Sequence, residues 1–262
     1  MFGVPEEDAA DFHDWTESIT SSTLSLEELN SAAAEMLGYI RELLDRKRRE
    51  PREDLLSALV AVHDGAEGGA EGLSAHELTS MVFVMLTAGH ETTVNLIGNT
   101  MLTLLTHRGQ AAALRADPEL LASAVEESLR FESPVQIALR TSLEPLELAG
   151  TAVPAGATVL VSLLAANRDP ERFADPDVLD LARADNPQLA FGYGIHHCIG
   201  APLARMEGIV AIGSALDRFP DLRLAVPETE LRWRPSMIMH GLDSLPVRLR
   251  SRTGTAAGED DR

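Results

Sequence analysis

Apolar positions recur at helical spacing through most of the first half of the chain. Phe12, Trp15 and Ile19 share one face of a short amphipathic helix from about Asp8 to Ser21. Ser25 and Glu28 have capping-box spacing, and Leu29, Met36, Leu37, Ile40, Leu43 and Leu44 then predict a long helix ending in the basic run Arg46–Arg49, before Pro51. A shorter helix follows near Asp54–Val62. The glycine-rich stretch Asp64–Gly72 reads as a flexible loop within one domain. Ser74 and Glu77 repeat the capping-box spacing. They open a segment, Ala75 to about Thr106, that is apolar on most faces through Met81–Leu86, the pattern of a helix buried in the middle of a protein.

Beyond another predicted helix, Pro118–Phe131, the period changes. Gly150, Pro154 and Gly156 punctuate short β-branched runs, among them Thr158–Val161, that read as strands. Residues near 169–190 form an irregular loop, Ala201–Phe219 is helical, and Leu222–Val226 and Leu245–Leu249 read as closing strands. The polar tail 251–262 is expected to be disordered. The fold class is mainly α with small β-sheets.

Composition narrows this picture. With 262 residues, 45% of them hydrophobic and 24% charged, the chain has the means to bury one sizeable core. A formal net charge of -19 argues against nucleic acid as a partner, because phosphate binding needs a concentrated basic surface. Lys47 is the only lysine, so arginine carries nearly all the positive charge. No apolar run reaches the roughly 18 residues of a membrane span, the N-terminus lacks the regions of a signal peptide, and one cysteine excludes an internal disulfide. A reducing cytoplasm is the expected location.

Three constellations carry candidate chemistry. Cys198 lies in Phe191-Gly192-Tyr193-Gly194-Ile195-His196-His197-Cys198-Ile199-Gly200. A lone cysteine is ordinarily a small buried hydrophobe. Here Gly192, Gly194 and Gly200 allow positive φ angles and close approach to a flat ligand, and Ala201-Pro202 starts a helix whose N-terminal dipole favours a thiolate. Adjacent His197 and Cys198, without further cysteines, make poor zinc geometry. In the long central helix, Ala88-Gly89-His90-Glu91-Thr92-Thr93 sets an acid and two alcohols among apolar residues; a threonine bonding back four residues, beside a glycine, predicts a local bend. Glu127 and Arg130 are spaced to pair on a helix, which by itself reads as an ordinary surface ion pair.

The string Phe-Gly-x-Gly-x-His-x-Cys-x-Gly resembles the haem-binding loop of the cytochrome P450 family, and the resemblance extends along nearly all of the chain. It implies a haem-thiolate monooxygenase that inserts one oxygen atom from dioxygen into a small hydrophobic substrate. Electrons would come from a ferredoxin and ferredoxin reductase or an equivalent donor, docking near Arg205 or Arg108. By the same resemblance Cys198 is the proximal ligand of haem b, and Phe191, Gly192 and Gly200 frame it. Arg140 and His196 face the haem propionates, while Glu91 and Thr92 guide protons as catalytic residues. Glu127, Arg130 and Arg183 form the supporting charge network. Met85, Thr87, Val135–Leu139 and Ser236–His240 line the substrate pocket.

Phe2–Asp8 resembles a segment well inside the family pattern, so roughly a third or more of a complete domain is expected to lie upstream, and residues 1–250 read as a partial haem domain lacking N-terminal helices and part of a sheet. The alternatives are a non-catalytic remnant with weak or no haem binding, and a peroxide-driven haem enzyme. Glu91 and Thr92 favour the dioxygen route over the latter.

Overall fold

A computed structural model describes residues 2–65 and 72–249. The centre of the expected flexible loop and the expected disordered tail 251–262 lie outside the described residues. Two compact units meet in sequence at Glu91 and Thr92.

The first unit is helical: α1 (Ala9–Thr20), α2 (Leu26–Arg49), α3 (Leu55–Gly65) and the first half of α4 (Ala75–Thr106). Both capping boxes form. Ser25 Oγ accepts from the Glu28 amide at 3.3 Å while the Glu28 carboxylate accepts from the Ser25 amide at 2.8 Å, and Ser74 and Glu77 repeat the exchange. In each box the hydrogen bonds from serine hold the glutamate carboxyl below its ordinary pKa. Phe12, Met36, Ile40, Leu43, Leu44, Leu56, Val60, Leu78, Val82 and Leu86 form one apolar core, with Trp15 and Ile19 packed against it, as the 3.6-residue period requires.

Within the basic run at the end of α2, Lys47 stands apart from its neighbours. This side chain is not part of a solvated helix end; it is 4% exposed and paired with Asp54. Gly3, at φ 63, crosses directly over the pair, where a Cβ would collide with Asp54 Oδ2 and Lys47 Nζ. Burial alone would raise the Asp54 carboxyl, yet the Lys47 ammonium and the Ser57 amide and hydroxyl together hold it below its usual value. A carboxyl depressed in the folded state stabilises above its unfolded pKa of about 3.9 and loses that contribution as pH falls through the folded value. We therefore expect Asp54→Asn to lower the thermal midpoint at neutral pH and to flatten its fall below about pH 4, measured by thermal denaturation across that range.

The second unit holds the rest of α4, then α5 (Arg108–Ala116), a 3-10 turn (Pro118–Leu120) and α6 (Leu121–Phe131). Strands β1 (Ile137–Thr141), β2 (Leu146–Leu148), β3 (Thr151–Val153) and β4 (Thr158–Ser162) follow, then α7 (Leu163–Ala166), α8 (Ala201–Arg218), β5 (Arg223–Leu224) and β6 (Val247–Arg248). The expected helix Pro118–Phe131 is thus a tight turn followed by an α-helix, and the closing strands shrink to two residues each. All pairings are antiparallel: β1 with β4 from Ile137 opposite Ser162 to Thr141 opposite Thr158, β2 with β3, and β5 with β6. The β2–β3 turn runs through Ala149 and Gly150 at φ 48 and 79, the left-handed pair that matches strand twist.

Leu96, Met101, Leu104, Leu114, Val125, Leu129, Leu179, Leu181 and Ile212 pack into the core of this unit. Two buried threonines on the second half of α4 are satisfied inside the helix: Thr100 donates to the Leu96 carbonyl and Thr103 to that of Asn99, each at 2.7 Å. The fold class is mainly α with small antiparallel sheets, as expected. Among the described residues no helix is long and apolar enough to cross a membrane.

Candidate functional site

The loop carrying Cys198 is closed by its own backbone. The Cys198 amide donates to the Phe191 carbonyl at 2.9 Å, the Gly192 amide to the Leu189 carbonyl at 2.8 Å, and the His197 amide to the Gly194 carbonyl at 3.0 Å. Gly192 and Gly194 take φ values of 71 and 66, and a Cβ on Gly192 would press within 3.3 Å of the His196 carbonyl oxygen. Gly200 corrects the expectation of positive φ, since it sits at φ -82. A Cβ there would stand 3.7 Å from Cys198 Sγ, an ordinary van der Waals contact.

Cys198 itself is exposed, just ahead of α8, whose first turn contains Pro202. Around it Tyr193, Ile195 and Ile199 are 85%, 98% and 96% exposed, an apolar rim on a loop of otherwise tight construction. Such a rim would suit a flat apolar group held by the sulfur. Among the described residues no group of three or more His, Cys, Asp and Glu side chains is placed to hold a bare metal ion. His197 Nδ1 lies 3.3 Å from the Gly192 carbonyl oxygen, within the loop.

Behind this loop the predicted charge network is assembled, and it is not a surface pair. Glu127 and Arg130 are both fully buried, joined by two 2.8 Å bonds from Arg130 Nε and Nη2 to the two carboxylate oxygens. Arg130 also donates to the carbonyls of Asn167, Pro176 and Val178 at 3.0, 2.7 and 3.1 Å, so all five guanidinium N–H groups are used. Arg183 Nε adds a 3.1 Å bond to Glu127, whose oxygens also accept from the Asp180 amide and Asn186 Nδ2.

Sequence reasoning missed the residues that carry this order forward to the cysteine. Asn167 is fully buried: its Oδ1 accepts from the Leu189 amide at 2.7 Å, and its Nδ2 donates to Ser133 Oγ at 2.9 Å. Glu126 accepts from Arg205 Nη2 at 3.1 Å and Gln188 Nε2 at 3.0 Å, and the Arg205 guanidinium lies 4.5 Å over the Phe191 ring. The bond to Glu126 raises the Arg205 pKa above its ordinary value, with a smaller push from Cys198. Asn167→Ala leaves a buried Leu189 amide without its acceptor, and we expect a loss of about 1–3 kcal/mol in urea unfolding.

The other predicted residues fall into separate places. Glu91, 1% exposed, and half-buried Thr92 are neighbours on α4, which stays helical through Gly89. Thr87, one turn earlier, donates to Met36 Sδ at 3.7 Å, and Met85 is half-buried. Arg140 is exposed on β1 and bonds its neighbour's carbonyl, while His196 is exposed in the 3-10 turn Gly194–His196. Segments 135–139 and 236–240 are brought side by side, with Val135 bridged to Met239, the Gln136 amide bonded to the Ile238 carbonyl, and the His240 amide to that of Pro134, each bond 2.8 Å.

Comparison with known proteins adds independent findings. The family model described as Cytochrome P450 matches residues 21–232. The chain is 51% identical over 251 residues to the cytochrome P450 monooxygenase PikC of Streptomyces venezuelae, covering 95% of this chain and 59% of that protein. To the vitamin D(3) 25-hydroxylase of Pseudonocardia autotrophica it is 46% identical over 254 residues, covering 97% of this chain and 62% of that one. The tirandamycin C-bound P450 monooxygenase TamI is structurally similar, with a TM-score of 0.87 and 47% identity over 95% of this chain and 60% of TamI. The chain thus spans 59% to 62% of the length of these two curated relatives.

Proposed function

The chain belongs to the cytochrome P450 family, and from that premise we propose that it carries the catalytic part of a haem-thiolate monooxygenase. The reaction inserts one oxygen atom from dioxygen into a hydrophobic organic substrate, with electrons from a ferredoxin and its reductase. One observation carries the reading: an exposed thiol on a closed loop, braced by a fully buried carboxylate–guanidinium pair. The molecules named with two relatives, tirandamycin C bound to TamI and vitamin D(3) in the name of the 25-hydroxylase, support a small organic substrate. The cytoplasm is the proposed location.

Cys198 would be the single protein donor to haem b, its side chain standing exposed just ahead of α8. The haem, when bound, supplies dioxygen binding and oxygen-atom transfer. Phe191, Gly192 and Gly200 let its ring approach the loop, and Arg140 and His196 pair with its two carboxylates. The Glu91 carboxylate and Thr92 Oγ1 hold and pass on the protons that the reaction consumes. Residues 135–139 and 236–240 orient the substrate and exclude water from it.

The test is to purify the chain with haem supplied and record the spectrum of the reduced carbonyl complex. A thiolate-type Soret band supports the reading, and absence of bound haem overturns it for this chain. Turnover with ferredoxin and reductase, against turnover with peroxide, separates the dioxygen route from a peroxide-driven one. A second reading is favoured by the coverage of relatives and by Met206 and Val210 standing 57% and 60% exposed on α8. In it, the chain holds haem only when completed by the remainder of the family's fold. Haem retention that appears only on adding that polypeptide decides for it.

A further inference from the structure

Three side chains stack where the stretch after α6 meets the loop ahead of β6. His240 Nε2 lies 2.6 Å from Glu132 Oε2, and the imidazole lies parallel to the Trp233 indole, with 4.0 Å between centroids and 8° between planes. Glu132 Oε1 is 3.6 Å from Arg168 Nη2, and Arg168 covers the Phe131 ring at 3.8 Å. From α4, Asn99 Nδ2 donates to the carbonyls of both Glu132 and His240, at 3.2 and 2.8 Å. The two ionisable side chains are 24% and 19% exposed, so their bond is only partly screened by water.

This cluster sits at the end of a segment held without regular secondary structure. Residues 234–240 form no strand or helix and are tied to residues 135–139 by the Val135–Met239 bridge, by main-chain bonds, and by the Gln136 side chain, which donates to the Ser236 and Met239 carbonyls at 3.4 and 3.2 Å. A charge-assisted bond on one edge of the imidazole and an aromatic face beneath it hold His240 in both directions. The stack therefore anchors the His240 end of this segment beside the stretch that follows α6.

We propose that Glu132, His240 and Trp233 form a latch that fixes the spacing of residues 135–139 and 236–240, and so sets which apolar ligand that wall accepts. The three are positioning residues, and the proposal rests on the reading of both segments as substrate contacts. Trp15 and Trp233 are the only tryptophans, so a Trp15→Phe background leaves Trp233 as the sole indole reporter.

In that background, with haem supplied, Trp233 emission and its acrylamide quenching report the stack. Equilibrium dialysis gives the dissociation constants for progesterone and dodecanoate. We expect His240→Leu and Glu132→Gln to increase acrylamide quenching and to change the ratio of the two constants by about tenfold, the effect of one lost charge-assisted hydrogen bond. His240→Arg, which keeps an N–H donor toward the carboxylate and a planar group on the indole, should restore the ratio to within about twofold. Far-UV circular dichroism identifies any variant that fails to fold, in which case Trp233→Phe, read by the ratio alone, replaces it. Unchanged quenching overturns the latch. Changed quenching with an unchanged ratio overturns its selective role. If the parent chain binds neither probe, the substrate-wall reading fails and the selective role with it, while the quenching data still decide whether the stack exists.

Discussion

Replacing Arg130 with alanine is expected to cost about 3–5 kcal/mol of folding stability, the range found when one member of a buried charge pair is removed, and to abolish haem retention. Arg130 is fully buried and feeds three main-chain carbonyls as well as Glu127. Its loss opens a cavity and leaves the Asn167 and Pro176 carbonyls without these donors. Arg183 still reaches Glu127, so the carboxylate is not wholly stranded, and Arg183→Ala should be the milder change because its side chain is 10% exposed. Arg130→Lys should fall between the wild type and Arg130→Ala, since an ammonium cannot reproduce the two-toothed bond. Urea unfolding and haem content after gel filtration measure both effects. A loss under about 1 kcal/mol for Arg130→Ala is in the range of a surface ion pair and would contradict the buried network.

Cys198→Ser should give the opposite pattern, with the chemistry lost and the fold kept. The side chain is exposed, so we expect stability within about 0.5 kcal/mol of the parent, as for other surface changes. The thiolate-type band of the reduced carbonyl complex should vanish, because a serine oxygen cannot stand in for the sulfur donor that the band reports. His197→Ala is the matched control. Its ring nitrogen is turned toward the Gly192 carbonyl, and its removal should leave the band in place. Retention of the band in Cys198→Ser would remove the cysteine from the site.

Periodicity exposed the helical half of the chain because each helix buries one stripe: Met36, Ile40, Leu43 and Leu44 meet Phe12, Leu56 and Leu78 in one core. The capping boxes were legible for the same local reason, since donor and acceptor lie three residues apart. Glu127, Arg130 and Arg183 were readable only through resemblance; the i, i+3 spacing alone describes many surface pairs. Asn167 left no local signal. Its partners, Ser133 and Leu189, are 34 and 22 residues away, and one of them is a backbone amide. The burial of Lys47 left no local signal either, since its pairing with Asp54 beneath Gly3 is a tertiary event. Helix α5 (Arg108–Ala116) also went unread, because its buried stripe is only Ala111 and Leu114.

The two arginines grip the stretch 174–178 almost entirely by its main chain: the carbonyls of Ala174, Asp175, Pro176 and Val178 receive them. The constraint there falls on the length and course of the chain, while most side chains are open to exchange. Asp175, at φ 46, is the exception, tolerating glycine or asparagine in its place better than a β-branched residue. For protein engineering this makes the segment a graft site for sequences of equal length, whereas inserting or deleting one residue would slide every carbonyl out of reach.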